Sequence, residues 1–259
     1  MSLKQRLDLN GRTALITGGS RGLGLQIAAG LGEMGARVLL SARKAAELEQ
    51  ACAELSAQGI DAGWIAADGA VDADVARLAQ QAIERLGHID ILVNNAGATW
   101  GAPAEDHPVE AWDKVMNLNI RGVFLLTRAI GKASMIPRQY GRIVNVASIA
   151  GLLGNPPELM HTIAYNTSKG ALVNFTRALA CEWGRHNITV NALAPGFFPS
   201  KMTKGVLAQF GVDALARFAP LKRIGDEEDL KGAALLFASD AGRHITGQVL
   251  AVDGGVSVY

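Results

Sequence analysis

The chain is short of cysteine, of any excess charge of one sign, and of long apolar runs. Its 259 residues include two cysteines, Cys52 and Cys181, far apart and in no CxxC or zinc-ligand spacing. Buried, reduced thiols in a reducing compartment are the expectation. Lysine and arginine number 25 against 24 aspartate and glutamate, so no net field directs the protein to nucleic acid or anionic membrane. No apolar run is long enough to cross a bilayer, and Met1-Ser2-Leu3-Lys4-Gln5-Arg6 leads into no apolar signal core. The five histidines show no HExxH or paired ligand spacing, so no metal is expected. A soluble cytoplasmic protein with neither nucleic-acid nor membrane partners is expected.

What the chain does have is apolar residue in short, regular blocks. At 49% hydrophobic and 19% charged it can bury one sizeable core, and α/β chains of this length are routinely one domain. Residues 13–17, 37–41, 63–66, 89–94, 142–147, 189–193 and 248–252 read as strands rich in Val, Ile and Leu. Most are continuously apolar, as parallel strands covered on both faces require. Between them, residues 45–57, 72–86, 109–132, 164–185 and 227–239 carry helical periodicity. This alternation predicts an α/β fold: a doubly wound, seven-stranded parallel sheet with helices on both faces. There is no internal repeat, low-complexity tract or linker. Residues 151–157 and 195–213 read as long loops or short lid helices, and long loops in a compact α/β chain tend to be functional.

Two local patterns carry chemistry. After the first strand comes Thr17-Gly18-Gly19-Ser20-Arg21-Gly22-Leu23-Gly24, then an amphipathic stretch over 25–34. Strand, glycine turn and helix together form a phosphate cradle, because absent side chains let backbone N–H groups and the helix N-terminus approach a pyrophosphate. The same glycines could serve only close strand–helix packing. No GxxxxGK[ST] follows, which disfavours a P-loop NTPase. The second pattern is Tyr165-Asn166-Thr167-Ser168-Lys169, whose helical spacing puts phenol and ammonium one turn apart on one face. A free tyrosine ionises near pH 10, about three units too high for proton exchange at neutrality. A neighbouring ammonium favours the phenolate, so the pair is expected to act as proton donor and acceptor.

The spacing Thr-Gly-x-x-x-Gly-x-Gly, together with Tyr165-x-x-x-Lys169, resembles the short-chain dehydrogenase/reductase family. Further matches follow in the family's order along nearly the whole chain: Asn94-Asn95-Ala96-Gly97, Asn119 within Leu118-Asn119-Ile120-Arg121-Gly122, Asn145-Val146-Ala147-Ser148, Pro195-Gly196, and Val252-Asp253-Gly254-Gly255. The resemblance implies a single Rossmann domain over residues 1–259, with a substrate lid at about 196–220. It implies catalysis by Asn119, Ser148, Tyr165 and Lys169. Tyr165 would donate the proton, Ser148 bond the substrate oxygen, Lys169 hold the nicotinamide ribose, and Asn119 position a water leading to Lys169. The implied cofactor residues are Gly18, Ser20, Arg21, Gly22, Leu23, Gly24, Arg43, Asp68, Asn95, Ala96, Gly97, Tyr165, Lys169, Pro195, Gly196, Phe198 and Ser200. Asp68 could equally cap a helix.

Departures from the family's pattern are few. Ala147 replaces a frequent serine, Ser200 a usual threonine, and sixteen residues separate Ser148 from Tyr165, about four more than the pattern. The extra residues around Asn155-Pro156-Pro157-Glu158 should bulge at the pocket rim. Ala42 stands where an NAD-preferring member carries an acid for the ribose 2′-OH. Arg43 follows it, and Arg21 projects from the glycine turn. Two guanidiniums without a carboxylate suit a 2′-phosphate, so NADP(H) is expected over NAD(H).

The implied activity is reduction of a ketone to a secondary alcohol. Thr99, Trp100, Leu152, Leu153, Met160, Phe197, Phe198 and Met202 would make a largely apolar lining, or core under the lid. Lys201, Lys204, Lys222 and Arg223 could steer a carrier or CoA. The segments Gly97-Ala98-Thr99-Trp100-Gly101 and 194–203 resemble those of 3-oxoacyl thioester reductases and of reductases named for gluconate. The resemblance ranks a 3-oxoacyl-ACP or -CoA substrate first, a gluconate 5-dehydrogenase-like or other polyol activity second, and a steroid or xenobiotic ketone third. A cofactor-binding regulator without turnover would be expected to break the Tyr–Lys pair, which is whole here. His161 is left out as exposed or substrate-adjacent. The family implies a homotetramer, with Leu125, Leu172, Phe175 and Leu179 as interface or core.

Overall fold

The computed structural model describes residues 1–258. Seven strands pair in parallel: β1 (Thr13–Thr17), β2 (Arg37–Ala42), β3 (Ala62–Ala66), β4 (Ile91–Asn94), β5 (Gly141–Val146), β6 (Ile188–Pro195) and β7 (Val249–Val252). Their order across the sheet is β3-β2-β1-β4-β5-β6-β7, the doubly wound arrangement. The helices are α1 (Leu3–Leu7), α2 (Gly22–Glu33), α3 (Ala45–Ala57), α4 (Asp72–Leu86), α5 (Val109–Met116), α6 (Val123–Ile130), α7 (Ile136–Arg138), α8 (Ile163–Trp183), α9 (Lys204–Phe210), α10 (Val212–Phe218) and α11 (Lys231–Ala238).

The continuous apolar strands are explained by what covers each face. Ala14 and Ile16 of β1 join Ile27 and Leu31 of α2, Leu48 and Leu55 of α3 and Phe237 of α11 in one core layer. Leu15, between them in sequence, joins Leu78 and Ala82 of α4, Leu126 and Ile130 of α6 and Leu179 of α8 in the other. Successive side chains point to opposite faces, so burial of both faces demands apolar residues at every position. Each fully buried Leu or Ile contributes about 1.5–3 kcal/mol. At the edge, Arg77 Nη2 and Arg85 Nη1 donate to the carbonyls of Ala66 and Trp64 at 3.0 and 2.8 Å, occupying acceptors that β3 would otherwise offer to another strand.

All seven expected strands form, with shifts of one or two residues at their ends. The helix expected over 109–132 differs more. It continues to Arg138 and widens into π-helical turns at Asn117–Gly122 and Gly131–Met135. Both turns contain a closely packed glycine: a β-carbon at Gly122 would overlap the Gly69 carbonyl, and one at Gly131 the Trp183 ring. The stretch expected from 227 becomes helical only at Lys231. Before it, the Asp226 and Asp229 carboxylates accept from the N–H groups of Glu228 and Asp226 and hold a turn instead.

The end of the sheet away from the glycine turn is held by charge. Asp90, almost wholly buried, pairs with Arg138 at 2.9 Å and accepts from the Thr13 N–H. Arg142, 2% exposed, bonds Asp240 at 2.9 Å, and the Tyr140 ring lies between Arg12 and Arg142 at 4.2 and 4.4 Å. Burial pushes the Tyr140 phenol up to about 12, keeping it a donor to Asp240. Removing one partner of such a pair strands the other charge. Asp240→Asn should therefore cost about 3 kcal/mol in a urea unfolding experiment, the lower end for a broken buried pair because Asp240 keeps some contact with water. A loss below about 0.5 kcal/mol would show that the network is ornamental.

Candidate active site

The chain builds outward in both directions from between β1 and β4, and a cleft of about 1050 Å³ opens beyond their carboxyl ends. At its floor the glycine turn is laced to the end of β4. Thr17 Oγ1 accepts from the N–H groups of Asn95 and Ala96 at 3.0 and 3.1 Å. Asn95 Nδ2 donates back to the carbonyls of Thr17 and Gly18 at 2.9 and 3.1 Å. Gly18 has φ +64° and Gly22 φ +54°, a region that side chains disfavour. A β-carbon at Gly18 would also stand 2.7 Å from Asn95 Nδ2.

The helix α2 starts at Gly22, and its N-cap, Arg21, makes no side-chain capping bond, so the first-turn N–H groups face the cleft unclaimed by a cap. Nothing crowds Gly22: the nearest atom to a β-carbon there would be Ser200 Cβ at 4.0 Å. Open N–H groups, a positive helix end and room for close approach fit a dinucleotide pyrophosphate.

At the adenosine side the charge pattern differs from the expected pair of guanidiniums without a carboxylate. Glu47, in the first turn of α3, lies among them. Its carboxylate meets Arg21 at 2.9 Å and Lys44 at 3.0 Å, and these cations hold it below its ordinary pKa. Arg43 is exposed and lines the same wall. Asp68 caps no helix: Val71 is the N-cap of α4, and Asp68 Oδ1 accepts from Ala70 N–H within the preceding turn.

At the other end Ser148, Tyr165 and Lys169 come together from the end of β5 and from α8. Lys169, 4% exposed, donates to the Val146 carbonyl at 2.6 Å, and its Nζ lies 5.6 Å from the Tyr165 ring centre. Burial pushes the ammonium down to about 8. The expected depression of Tyr165 by this lysine is not found. Burial raises the phenol above its ordinary value, and a hydrogen bond with Ser148 draws it partway back. The ammonium spends its contact on a carbonyl rather than on the phenol, so desolvation dominates.

Asn119 sits in the π turn, 1% exposed and behind the cleft wall. Its Oδ1 accepts from Ala98 N–H at 2.8 Å, and its Nδ2 donates to Ala98 O and Ser168 Oγ, both at 2.9 Å. Gly97 lies between it and Lys169: a β-carbon there would be 3.5 Å from Asn119 Oδ1 and 3.6 Å from Lys169 Nζ.

Every residue singled out for cofactor or catalysis lines the cleft except Gly24 and Asn119, which support it from one layer behind. Phe198 turns its ring into the core, against Gly225. Of the expected substrate lining, Thr99 and Met202 reach the cleft with Phe198, while Trp100, Leu152, Leu153, Met160 and Phe197 lie outside it. Leu152 and Leu153 are exposed. The extra residues before Tyr165 are pinned at the rim: Asn155 Nδ2 donates to Thr162 Oγ1 and Asn166 Oδ1, and the His161 carbonyl accepts from Ala102 N–H. Exposed, His161 contributes that carbonyl. Among the described residues no three His, Cys, Asp or Glu side chains gather in a metal-binding group.

The family model described as short chain dehydrogenase matches residues 12–210. The chain belongs to this family. It is 40% identical to a gluconate 5-dehydrogenase of Gluconobacter oxydans, over 100% of this chain and 99% of that one. It is 41% identical to the rhamnolipids biosynthesis 3-oxoacyl-[acyl-carrier-protein] reductase of Pseudomonas aeruginosa, over 96% and 97%. The crystal structure of a gluconate 5-dehydrogenase from Burkholderia cenocepacia J2315, in complex with NADP and tartrate, superposes with a TM-score of 0.93 at 34% identity, covering 100% of both chains. Family membership makes this chain an oxidoreductase of CH–OH and C=O substrates.

Thr17, Lys44, Glu47 and Ser168 were not singled out from the sequence. Glu47 had a signal, since it lies one helical turn after Lys44 in the helix that follows β2. The bond from Asn119 to Ser168 had none, because the π turn breaks the helical spacing. Gly24→Ala tests the floor of the cleft: the added methyl would overlap both Asn95 Nδ2 and the Gly18 carbonyl. NADP binding followed by fluorescence should weaken by at least about tenfold, or 1.4 kcal/mol. An unchanged affinity would mean that this contact has slack.

Proposed function

We propose that this chain catalyses the reversible, NADP(H)-dependent interconversion of a ketone and a secondary alcohol. The observation that carries the reading is the convergence of Ser148, Tyr165 and Lys169 at one end of a cleft whose other end is built for a pyrophosphate. A nicotinamide bound there supplies the hydride. Tyr165, its pKa raised by burial, is protonated at neutral pH and gives its proton to the carbonyl oxygen. Ser148 donates a hydrogen bond to the same oxygen, where negative charge develops. The Lys169 ammonium then favours the phenolate left behind. Asn119 fixes the loop at Ala98. The closeness of its Oδ1 and Lys169 Nζ to Gly97 supports a water relay between them.

NADP(H) is the preferred coenzyme on the strength of Arg21 and Arg43, and the Burkholderia relative is described with NADP. Assembly through α6 and α8 is supported by Phe124, 46% exposed beside Phe175; Leu172 and Leu179 are core. The unpaired Cys52 and Cys181 suit work in a reducing cytoplasm.

For the substrate, we rank a sugar-acid or polyol ketone above the 3-oxoacyl thioester expected from sequence. Most of the expected apolar lining is outside the cleft, and two of the steering cations are engaged. Arg223 is held by Asp229 at 2.6 Å, and Lys222 donates to the Arg217 carbonyl. Thr99, Lys201 and Met202 share the cleft lining with Tyr165, a mixed polar set in which Lys201 has no ion pair among the described residues. A sugar-acid or polyol ketone fits it best. A 3-oxoacyl thioester is the second reading, favoured by Met202, which is 43% exposed and in the lining.

An NADPH-oxidation assay should turn over 5-ketogluconate faster than acetoacetyl-CoA or an aromatic ketone; the reverse order would establish the second reading. Tyr165→Phe should bind NADPH within about twofold of wild type and lose about a thousandfold in kcat. Retained turnover would remove Tyr165 from the reaction. The Lys169 ammonium persists below its lowered pKa of about 8 and is lost above it, so kcat for reduction should fall as pH rises past about 8. A profile that stays flat through pH ~9.5 would count against a role for that charge.

A further inference from the structure

Along the wall that would face the adenosine ribose lie three cations and the Glu47 carboxylate. Arg21 is the N-cap of α2, Arg43 follows β2, and Lys44 is the N-cap of α3. Glu47 lies between two of them, with Oε2 at 2.9 Å from Arg21 Nη1 and Oε1 at 3.0 Å from Lys44 Nζ. Among the described residues Arg43 has neither an ion pair nor a side-chain hydrogen bond.

We propose that Glu47 sets the coenzyme selectivity of this chain, by occupying the guanidinium and ammonium groups that a ribose 2′-phosphate would otherwise take. The proposal rests on the NADP(H) reading and refines it. A 2′-phosphate would bring up to about two negative charges to this wall. To bond Arg21 and Lys44 it must share them with the Glu47 carboxylate or displace it, and two anions on the same cations repel each other. Arg43 is left as the one free guanidinium ready to receive it.

A ribose with a free 2′-hydroxyl meets no such barrier. The hydroxyl can donate to Glu47, as it does to the acid that follows the second strand in NAD-binding folds. Here that acid position is Ala42, and Glu47 supplies a carboxylate from five residues further on. The same side chain thus opposes one coenzyme and accommodates the other. A wall with Arg43 and Glu47 together admits both, with a narrower preference than two unopposed arginines would give.

Glu47→Gln removes the charge and keeps the shape on an exposed helix turn. The probes are 2′,5′-ADP, which carries the extra phosphate, and 5′-AMP, which lacks it, titrated by calorimetry so that turnover plays no part. The variant should bind 2′,5′-ADP about fivefold more tightly and leave 5′-AMP equal or weaker. A ratio of the two affinities within twofold of wild type would overturn the proposal. So would a lowered ratio, which would mean that Glu47 orients Arg21 for the phosphate. Arg43→Asp tests the underlying reading separately, with at least a tenfold loss of 2′,5′-ADP binding expected. If Arg43→Asp shows that loss and Glu47→Gln changes nothing, the Glu47 proposal alone falls. If Arg43→Asp changes nothing, the NADP(H) reading falls, and this proposal with it.

Discussion

A buried ammonium constrains one end of the cleft, where Ser148, Tyr165 and Lys169 converge. Lys169 Nζ gives its hydrogen bond to the Val146 carbonyl, at the last residue of β5. Desolvation penalises that charge, and the fold must hold its acceptor in place to keep it. Gly151 lets the turn after Ser148 press against the backbone of Lys169, where a β-carbon would come within 2.5 Å. Asn145 on β5 bonds Thr176 on α8 and Asn94 on β4 through buried amides and hydroxyls at 2.9 Å. These contacts lock α8 to the strands, and Tyr165 travels with it.

The two ends of the cleft are joined through β4. Thr17 and Asn95 tie the glycine turn to the strand end, and Asn119 ties the following loop, at Ala98, to Ser168 on α8. The glycine turn and the helix that carries Tyr165 and Lys169 are therefore anchored to one backbone segment, Asn95 to Ala98. Asn119 and Lys169 both come within ordinary contact distance of where a β-carbon at Gly97 would stand.

Charge is used in two different ways at opposite ends of the sheet. Away from the cleft, Asp90, Arg138, Arg142 and Asp240 are well paired, so their electrostatics serve the fold. At the cleft, Arg43 and Lys201 carry no pairing among the described residues, and Glu47 divides itself between two cations. Cations left partly free beside a cleft are available to an anionic ligand.

The amino-acid sequence by itself determined the seven strands, the glycine turn and the Tyr165–Lys169 pair. These depend on short-range physics: strand runs report burial on both faces, and four-residue spacing reports one helix face. It could not show the π turn that aims Asn119 at Ser168. A single inserted residue leaves the apolar spacing nearly intact, and the packing of Gly122 against Gly69 within that turn is a contact between distant segments. Nor could it show that burial would raise the Tyr165 pKa while Lys169 turned to Val146, or that Glu47 would stand between Arg21 and Lys44. Ionisation and pairing depend on distance through space and on exclusion of water, and only tertiary packing sets those.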